Sequence, residues 1–331
     1  MRLLVTGGAG FIGCNFVRHV LAETGDIIVR VLDKLTYAGN LDNLQDVAVD
    51  PRFEFIKADV CDADAVRAAM DGVDRVAHLA AETHVDRSII SAEAAVQTNF
   101  VGTFVMLEAA REAGVERFLH MSTDEVYGSS LTDRFTEDHP LNPRNPYSAS
   151  KAGADRLAYS YFVTYDLPVV IARPANNYGP WQYPEKLIPF FVYRALRDEP
   201  LPVYGDGMQV RDWLYVKDDC RALMTILERG EPGQAYNVAA GNERPNLETI
   251  GVVLDELGKP ESLIQHVEDR PGHDLRYPMD GAKLRALGWE PMMPWEPGIR
   301  QTVRWFAGHH EWMERSVARS RKYFEEWYAR R

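Results

Sequence analysis

At 331 residues with 46% hydrophobic content, the chain carries enough apolar material for two cores, or for one Rossmann-type domain with a smaller partner, which excludes a disordered polypeptide. Its net charge of -12 argues against a nucleic-acid grip, which needs a basic field to neutralise phosphates. Any anionic ligand must therefore be held locally by Arg, Lys or backbone N–H groups.

Taken in chain order, short β-branched runs alternate with longer helical patterns. Strands are expected at Arg2 to Thr6, Ile27 to Asp33, Phe53 to Asp59, Arg75 to Ala80, Arg117 to Ser122 and Val169 to Arg173, each a continuous apolar run of the kind that is covered on both faces. Between them, helices are expected at Phe11 to Glu23, Ala92 to Ala113 and Tyr147 to Tyr165. The pattern predicts an α/β fold with a Rossmann-type doubly wound parallel sheet. After about Pro174 the rhythm breaks into Pro- and aromatic-rich loops, followed by short helices at Leu247 to Leu257 and Gly298 to Trp305 and a further helical stretch from Glu311 to Arg331. The expected division is a sheet-forming first domain at 1–175 and a smaller C-terminal lobe at 176–331, with elements able to interleave.

Gly7-Gly8-Ala9-Gly10-Phe11-Ile12-Gly13 follows the first strand and opens the first helix. In that context glycines permit a tight turn and let backbone approach a pyrophosphate, with helix N–H groups facing the charge. A glycine-rich turn can also simply pack a helix on a sheet. Asp33, at the end of the second strand, favours the dinucleotide reading, because a carboxylate there accepts from an adenosine ribose. It also repels a 2′-phosphate, so NAD is expected over NADP, although the adjacent Lys34 works against that preference.

Asn145-Pro146-Tyr147-Ser148-Ala149-Ser150-Lys151 reads as a helix start, with a capping Asn and Pro at the first helical position. Tyr147 and Lys151 then share one face, where an ammonium would lower the pKa of the phenol and let it act as a base. The fifth strand leads into Ser122-Thr123-Asp124-Glu125-Val126-Tyr127-Gly128 at the carboxyl edge of the sheet. Hydride transfer needs only the hydroxyl of Thr123. Asp124 and Glu125 are surplus to it, and fit an acid and base whose environments separate their pKa values.

These strings, with Asp33 to Asn40, Ala80 to Ser88, Asn176 to Pro180, Pro184 to Pro189 and Arg270 to Asp274, resemble the dTDP-glucose 4,6-dehydratase family of extended short-chain dehydrogenases over nearly the whole chain. The resemblance implies dehydration of dTDP-glucose to dTDP-4-keto-6-deoxyglucose, by NAD-mediated oxidation at C4, loss of water across C5 and C6, and return of hydride to C6, with NAD tightly bound throughout. Tyr147 would be the base at C4, supported by Lys151 and Thr123; Glu125 would take the C5 proton and Asp124 would protonate the leaving C6 hydroxyl. Carried over for the cofactor are Gly7, Gly10, Phe11, Ile12, Gly13, Asp33, Lys34, Leu35, Thr36, Asp59, Val60, Ala80, Ala81, Thr98, Tyr147, Lys151 and Asn177. For the nucleotide-sugar they are Thr83, Thr123, Asn176, Lys186, Leu187, Pro202, Val203, Tyr204, Arg211, Asn246, Arg270 and His273. Arg211 and Arg270 suit a diphosphate, and Tyr204 suits stacking on the base. The sequence departs from the family in small ways: Cys14 stands where serine is usual, and Thr83 replaces a serine but keeps the hydroxyl.

The family also implies a homodimer paired through the helices at Ala92 to Ala113 and Tyr147 to Tyr165, although a helix buried within one monomer would show the same apolar pattern. Cys14, Cys61 and Cys220 lie far apart with no C-x-x-C pair, so neither disulfides nor a metal site is expected. The N-terminal apolar stretch is too short for a signal peptide, and no run approaches the roughly 18 apolar residues of a membrane span. A soluble cytoplasmic enzyme is expected, with a nucleotide-sugar substrate and neither nucleic acid nor membrane as partner. Two alternatives stay open from the residues alone: a nucleotide-sugar 4-epimerase, which has no use for the acid and base pair, and a non-catalytic dinucleotide-sensing module, which has no use for Tyr147 and Lys151.

Overall fold

The computed structural model describes residues 1–269 and 271–328. Its strands in chain order are β1 (Arg2–Thr6), β2 (Ile28–Asp33), β3 (Phe53–Lys57), β4 (Arg75–His78), β5 (Arg117–Met121), β6 (Val169–Pro174), β7 (Asn176–Tyr178), β8 (Leu201–Tyr204), β9 (Val210–Tyr215), β10 (Ala235–Val238), β11 (Glu243–Pro245) and β12 (Ile264–Val267). Seven of them form one sheet in the order β10, β6, β5, β4, β1, β2, β3. All its pairings are parallel. This is the doubly wound Rossmann-type arrangement. The chain reverses direction across the sheet between β1 and β4, which opens a crevice at their carboxyl ends.

Both faces of the sheet are covered, as its apolar strands require. Helices Phe11–Glu23 and Val216–Arg229 lie on one face, with Phe16, Val20, Leu223 and Leu227 in a shared core. Helices Ala63–Met70, Gly102–Ala113 and Pro146–Tyr165 lie on the other, contributing Val66, Met106, Leu107 and Ala158. The smaller lobe holds the three-stranded sheet β11, β9, β7, the pair β12 and β8, and helices Leu187–Leu196, Asn246–Leu257 and Trp295–Gly308 around Trp213, Val253, Ile299 and Phe306.

Residues 216–238 cross back after the smaller lobe has begun, and β10 extends the large sheet by pairing with β6. The layers are therefore interleaved along the chain. Several expected strands also end earlier than their apolar runs suggest: β3 stops at Lys57, β4 at His78 and β5 at Met121. The residues just beyond these ends turn outward to line the crevice.

The helix expected from Ala92 to Ala113 is a composite. Glu93–Ala95 leads into a π-helical stretch, Val96–Val101, before the regular helix Gly102–Ala113. Asn99 explains the irregularity: its side chain accepts from Glu82 N at 2.8 Å and donates to Glu82 O at 3.0 Å and Ser150 Oγ at 2.9 Å. Those bonds hold the π stretch against a loop and the helix Pro146–Tyr165 at the pocket, and such bulges recur beside functional sites.

Candidate active site

Two adjoining pockets open at the carboxyl edge of the sheet. The first runs from the glycine-rich turn past Asp33, Asp59 and Ala80 to Thr123, Tyr147 and Lys151. The second continues from Glu125, Asn176 and Lys186 to Pro202, Tyr204, Arg211, Asn246 and His273. Together they bring nearly all the sequence-predicted residues to one crevice. Leu35 is an exception: it packs against the apolar core, while its N–H donates to Asp33 Oδ1 at 2.7 Å. Arg270 lies outside the described residues.

The glycine turn is closed to side chains. A Cβ on Gly13 would sit 2.1 Å from Gly7 O, and one on Gly7, whose φ is +70°, would sit 2.7 Å from Ala80 Cα. Helix Phe11–Glu23 starts there with no side-chain cap, so its N-terminal N–H groups are left for an anion. Asp33 Oδ2 accepts from Ala9 N at 2.9 Å, so the carboxylate anchors the turn as well as facing the pocket. Burial raises its pKa against those two N–H bonds. Lys34 is held by Asp59 at 2.5 Å. That pairing sets the Asp59 carboxylate beside the Lys34 ammonium at the pocket.

Further along, Ser122 Oγ, Asp124 Oδ2, Asn176 Oδ1 and Asn177 Oδ1 line the first pocket, buried without a partner among the described residues. Buried polar atoms of this kind are costly unless a ligand or water satisfies them. The uncapped helix, the ribose-facing carboxylate and these orphaned atoms fit a dinucleotide.

Helix Pro146–Tyr165 begins as its sequence predicts: Asn145 accepts from Ser148 N at 2.9 Å in a reciprocal capping box with Pro at the first turn. That start places Tyr147 and Lys151, both buried, at the pocket floor. The electrostatics differ from the sequence expectation. Lys151 Nζ donates to Met121 O at 2.5 Å, and burial lowers its pKa to about 8 against the raising charge of Asp155. Burial, then the Glu125 charge, push the Tyr147 phenol up, and its hydrogen bond with Thr123 offsets only part of this. The ammonium is bonded to a strand carbonyl rather than to the phenol.

Beside them, Thr123 Oγ1 donates to Asp124 Oδ1 at 3.0 Å. Burial first, and the Glu125 charge second, raise Asp124 to about 8. It is a protonated acid at neutral pH. Glu125 faces both pockets and accepts from Asn145 Nδ2 at 3.4 Å. A neutral carboxylic acid beside a second carboxyl group and a phenol can perform acid and base chemistry on one bound molecule.

In the second pocket, Arg211 is buried, with its guanidinium 4.7 Å from the centre of the Tyr277 ring. One amino group donates to Asp274 O at 3.0 Å and lies 3.3 Å from His273 Nε2. His273 is held in turn by Asp269 at 2.6 Å. Tyr204 donates to Asp86 Oδ2 at 3.0 Å. Gln209 Oε1, Trp213 Nε1 and Asn246 Oδ1 are buried and have no partner among the described residues.

The pockets also contain Glu82, Asp86, Gln182, Glu185, Gln209 and Tyr277, which the residue-by-residue reading missed. Glu82, Asp86 and Glu185 stand inside strings that carried the family resemblance and could have been found there. Gln209 and Tyr277 have no local signal, since only the fold brings them to the crevice.

Residues 4–302 match the family described as GDP-mannose 4,6 dehydratase. The chain is 51% identical to the low-salt glycan biosynthesis protein Agl12 of Haloferax volcanii, covering 94% of this chain and 100% of that protein. It is 49% identical to a dTDP-glucose 4,6-dehydratase of Neisseria meningitidis serogroup B, covering 95% of each. DesIV, a dTDP-glucose 4,6-dehydratase from Streptomyces venezuelae solved with NAD bound, superposes with a TM-score of 0.94 at 48% identity over 96% of this chain and 100% of its own. A UDP-glucose 4-epimerase of Thermus thermophilus stands further off, at 35% identity and TM-score 0.86 over 93% of this chain and 99% of its own. The chain belongs to the GDP-mannose 4,6 dehydratase family and, within it, to the dTDP-glucose 4,6-dehydratases.

Proposed function

We propose that this protein dehydrates dTDP-glucose to dTDP-4-keto-6-deoxyglucose with NAD as its resident cofactor. The observation that carries the reading is the pair Asp124 and Glu125 beside Thr123 and Tyr147, with Asp124 raised to about 8. A 4-epimerase has no use for that pair. Gly7 to Gly13, Asp33, Asp59 and Asn177 would hold NAD, which when bound supplies the hydride acceptor and, once reduced, the donor.

The chain's own groups account for the proton movements. Tyr147 takes the C4 hydroxyl proton while Thr123 hydrogen-bonds the same oxygen. A 4-ketone makes the C5 proton acidic by delocalising the resulting charge, and Glu125 removes it. Asp124 gives its proton to the departing C6 hydroxyl. Arg211, fixed by backbone carbonyls, faces the diphosphate, and Tyr204 faces the base. Cofactor binding belongs to 1–175 with the returning segment 216–238, and substrate binding chiefly to the rest of 176–331.

Two further assignments belong to this reading. Exposed Phe100, Phe104, Tyr159 and Val163 on adjacent helices support a homodimer paired through that face. Three unpaired cysteines support a reducing cytoplasm. Among the described residues, no helix is long and apolar enough to cross a membrane.

The test is incubation of NAD-loaded protein with dTDP-glucose, followed by mass measurement. The expected product is lighter by one water. An unchanged mass with conversion to the galactose epimer would establish the epimerase instead.

A further inference from the structure

The pocket read here as the NAD site has one wall at Asp33 to Gly39 and another at Gln182 and Tyr183. Helix His310–Tyr328, distant in sequence, is bonded to both walls. Trp312 Nε1 donates to Asn43 Oδ1 at 2.9 Å, and Asn43 Nδ2 donates to Ala9 O at 2.9 Å. The Ala9 N–H in turn donates to Asp33 Oδ2 at 2.9 Å. Trp312 and Asn43 are 5% and 1% exposed, so water cannot replace either partner cheaply. Across the pocket, Tyr183 donates to Ser316 O at 2.9 Å. At the rim, Arg319 reaches Gly39 O at 3.4 Å and Asn40 Oδ1 at 3.2 Å.

The chemistry of the Asn43 link is directional. An indole is a donor only, so it requires the carboxamide to present oxygen towards Trp312 and hence nitrogen towards Ala9. Without the indole the carboxamide can turn over, leaving the Ala9 carbonyl with only the Asn40 N–H, at 3.1 Å. Ala9, whose N–H holds the Asp33 carboxylate, then loses one of the two bonds that fix its carbonyl.

We propose that Trp312 and Asn43 are positioning residues of the dinucleotide site, through which the C-terminal helix governs how tightly NAD is held. The proposal rests on the reading of this pocket as the NAD site. Trp312→Phe keeps an aromatic side chain in the core but removes the donor together with the indole's second ring; Arg319→Ala, at an exposed position, supplies a second variant whose folding is not in question. Equilibrium dialysis gives the NAD dissociation constant, and turnover across NAD concentrations separates half-saturation from kcat. Loss of one buried donor is expected to raise the NAD dissociation constant about tenfold in Trp312→Phe, and a few-fold in Arg319→Ala, with kcat at saturating NAD moving less than about twofold.

Unchanged NAD affinity in both variants overturns the proposal, even if the NAD-free protein melts earlier, because that pattern is a structural role alone. A fall in kcat at saturating NAD as large as the loss of affinity also overturns it. Wild-type protein that binds no NAD overturns instead the reading of the pocket, and is a distinct observation from normal wild-type binding with unaffected variants.

Discussion

At the scale of single residues, the site works by separating the protonation states of neighbouring groups. Asp124 is held neutral by burial and by the charge of Glu125. A group whose pKa is raised to about 8 is a proton donor below that pH and is lost as a donor above it. The kcat pH profile of the dehydration is therefore expected to fall as pH rises through about 8, and Asp124→Asn should slow water loss and remove that limb. Stopped-flow absorbance checks the assignment, since the Asn variant should accumulate reduced cofactor while forming little product. Tyr147→Phe should lower kcat by about 10²- to 10⁴-fold with the substrate KM little changed, measured by product mass in steady state. The adjacency of the two carboxyls was legible in the sequence, because both follow a strand end. Their protonation was not, because desolvation depends on what covers them. Lys151 shows the same limit: its place on the face of Tyr147 was readable, but its bond to Met121 O was set by the strand beneath it.

At the scale of elements, the catalytic helix Pro146–Tyr165 is anchored to β6 by a buried ion pair. Arg173 is 1% exposed and donates to Asp155 Oδ2 at 2.8 Å, Asp155 Oδ1 at 3.0 Å and Tyr127 Oη at 2.6 Å. Burial opposes the charged form of Asp155, but the Arg173 charge and hydrogen bonds outweigh it and hold the carboxyl at about 2. Since the folded value lies below the unfolded one, the stabilisation is complete above the usual carboxylate range and is lost as pH falls towards about 2. Asp155→Ala strands the guanidinium and is expected to cost about 3–5 kcal/mol in urea unfolding at neutral pH, with the deficit shrinking in acid. This helix was legible from its Asn cap and Pro start, as was Phe11–Glu23 from the preceding glycines. The π stretch Val96–Val101 was not, because it arises from Asn99 bonding to a loop and to another helix rather than from local propensity. Nor was β10 separable from the smaller lobe by pattern, since a short buried strand reads alike in either sheet.

At the scale of the whole molecule, the outer face of the helices around Phe104 and Val163 carries apolar side chains that the described residues leave about half exposed, at 46% and 60%. Large exposed apolar groups in such a cluster mark an interaction surface. Sedimentation of the wild type is expected to give a dimer, and Phe104→Glu with Val163→Glu a monomer that still binds NAD, because these residues lie outside both pockets. The sequence by itself determined the α/β class, the glycine turn with its carboxylate, and the candidates for the reacting groups, since each depends on neighbours along the chain or on a short motif. Only the tertiary structure decided that 216–238 returns to the first sheet, that Lys34 is tied to Asp59, and that Trp312 reaches the cofactor turn through Asn43. The physical reason is common to all three. Strand partners, desolvation and long-range hydrogen bonds are properties of groups brought together by packing, and no periodicity or spacing encodes which distant residue completes them.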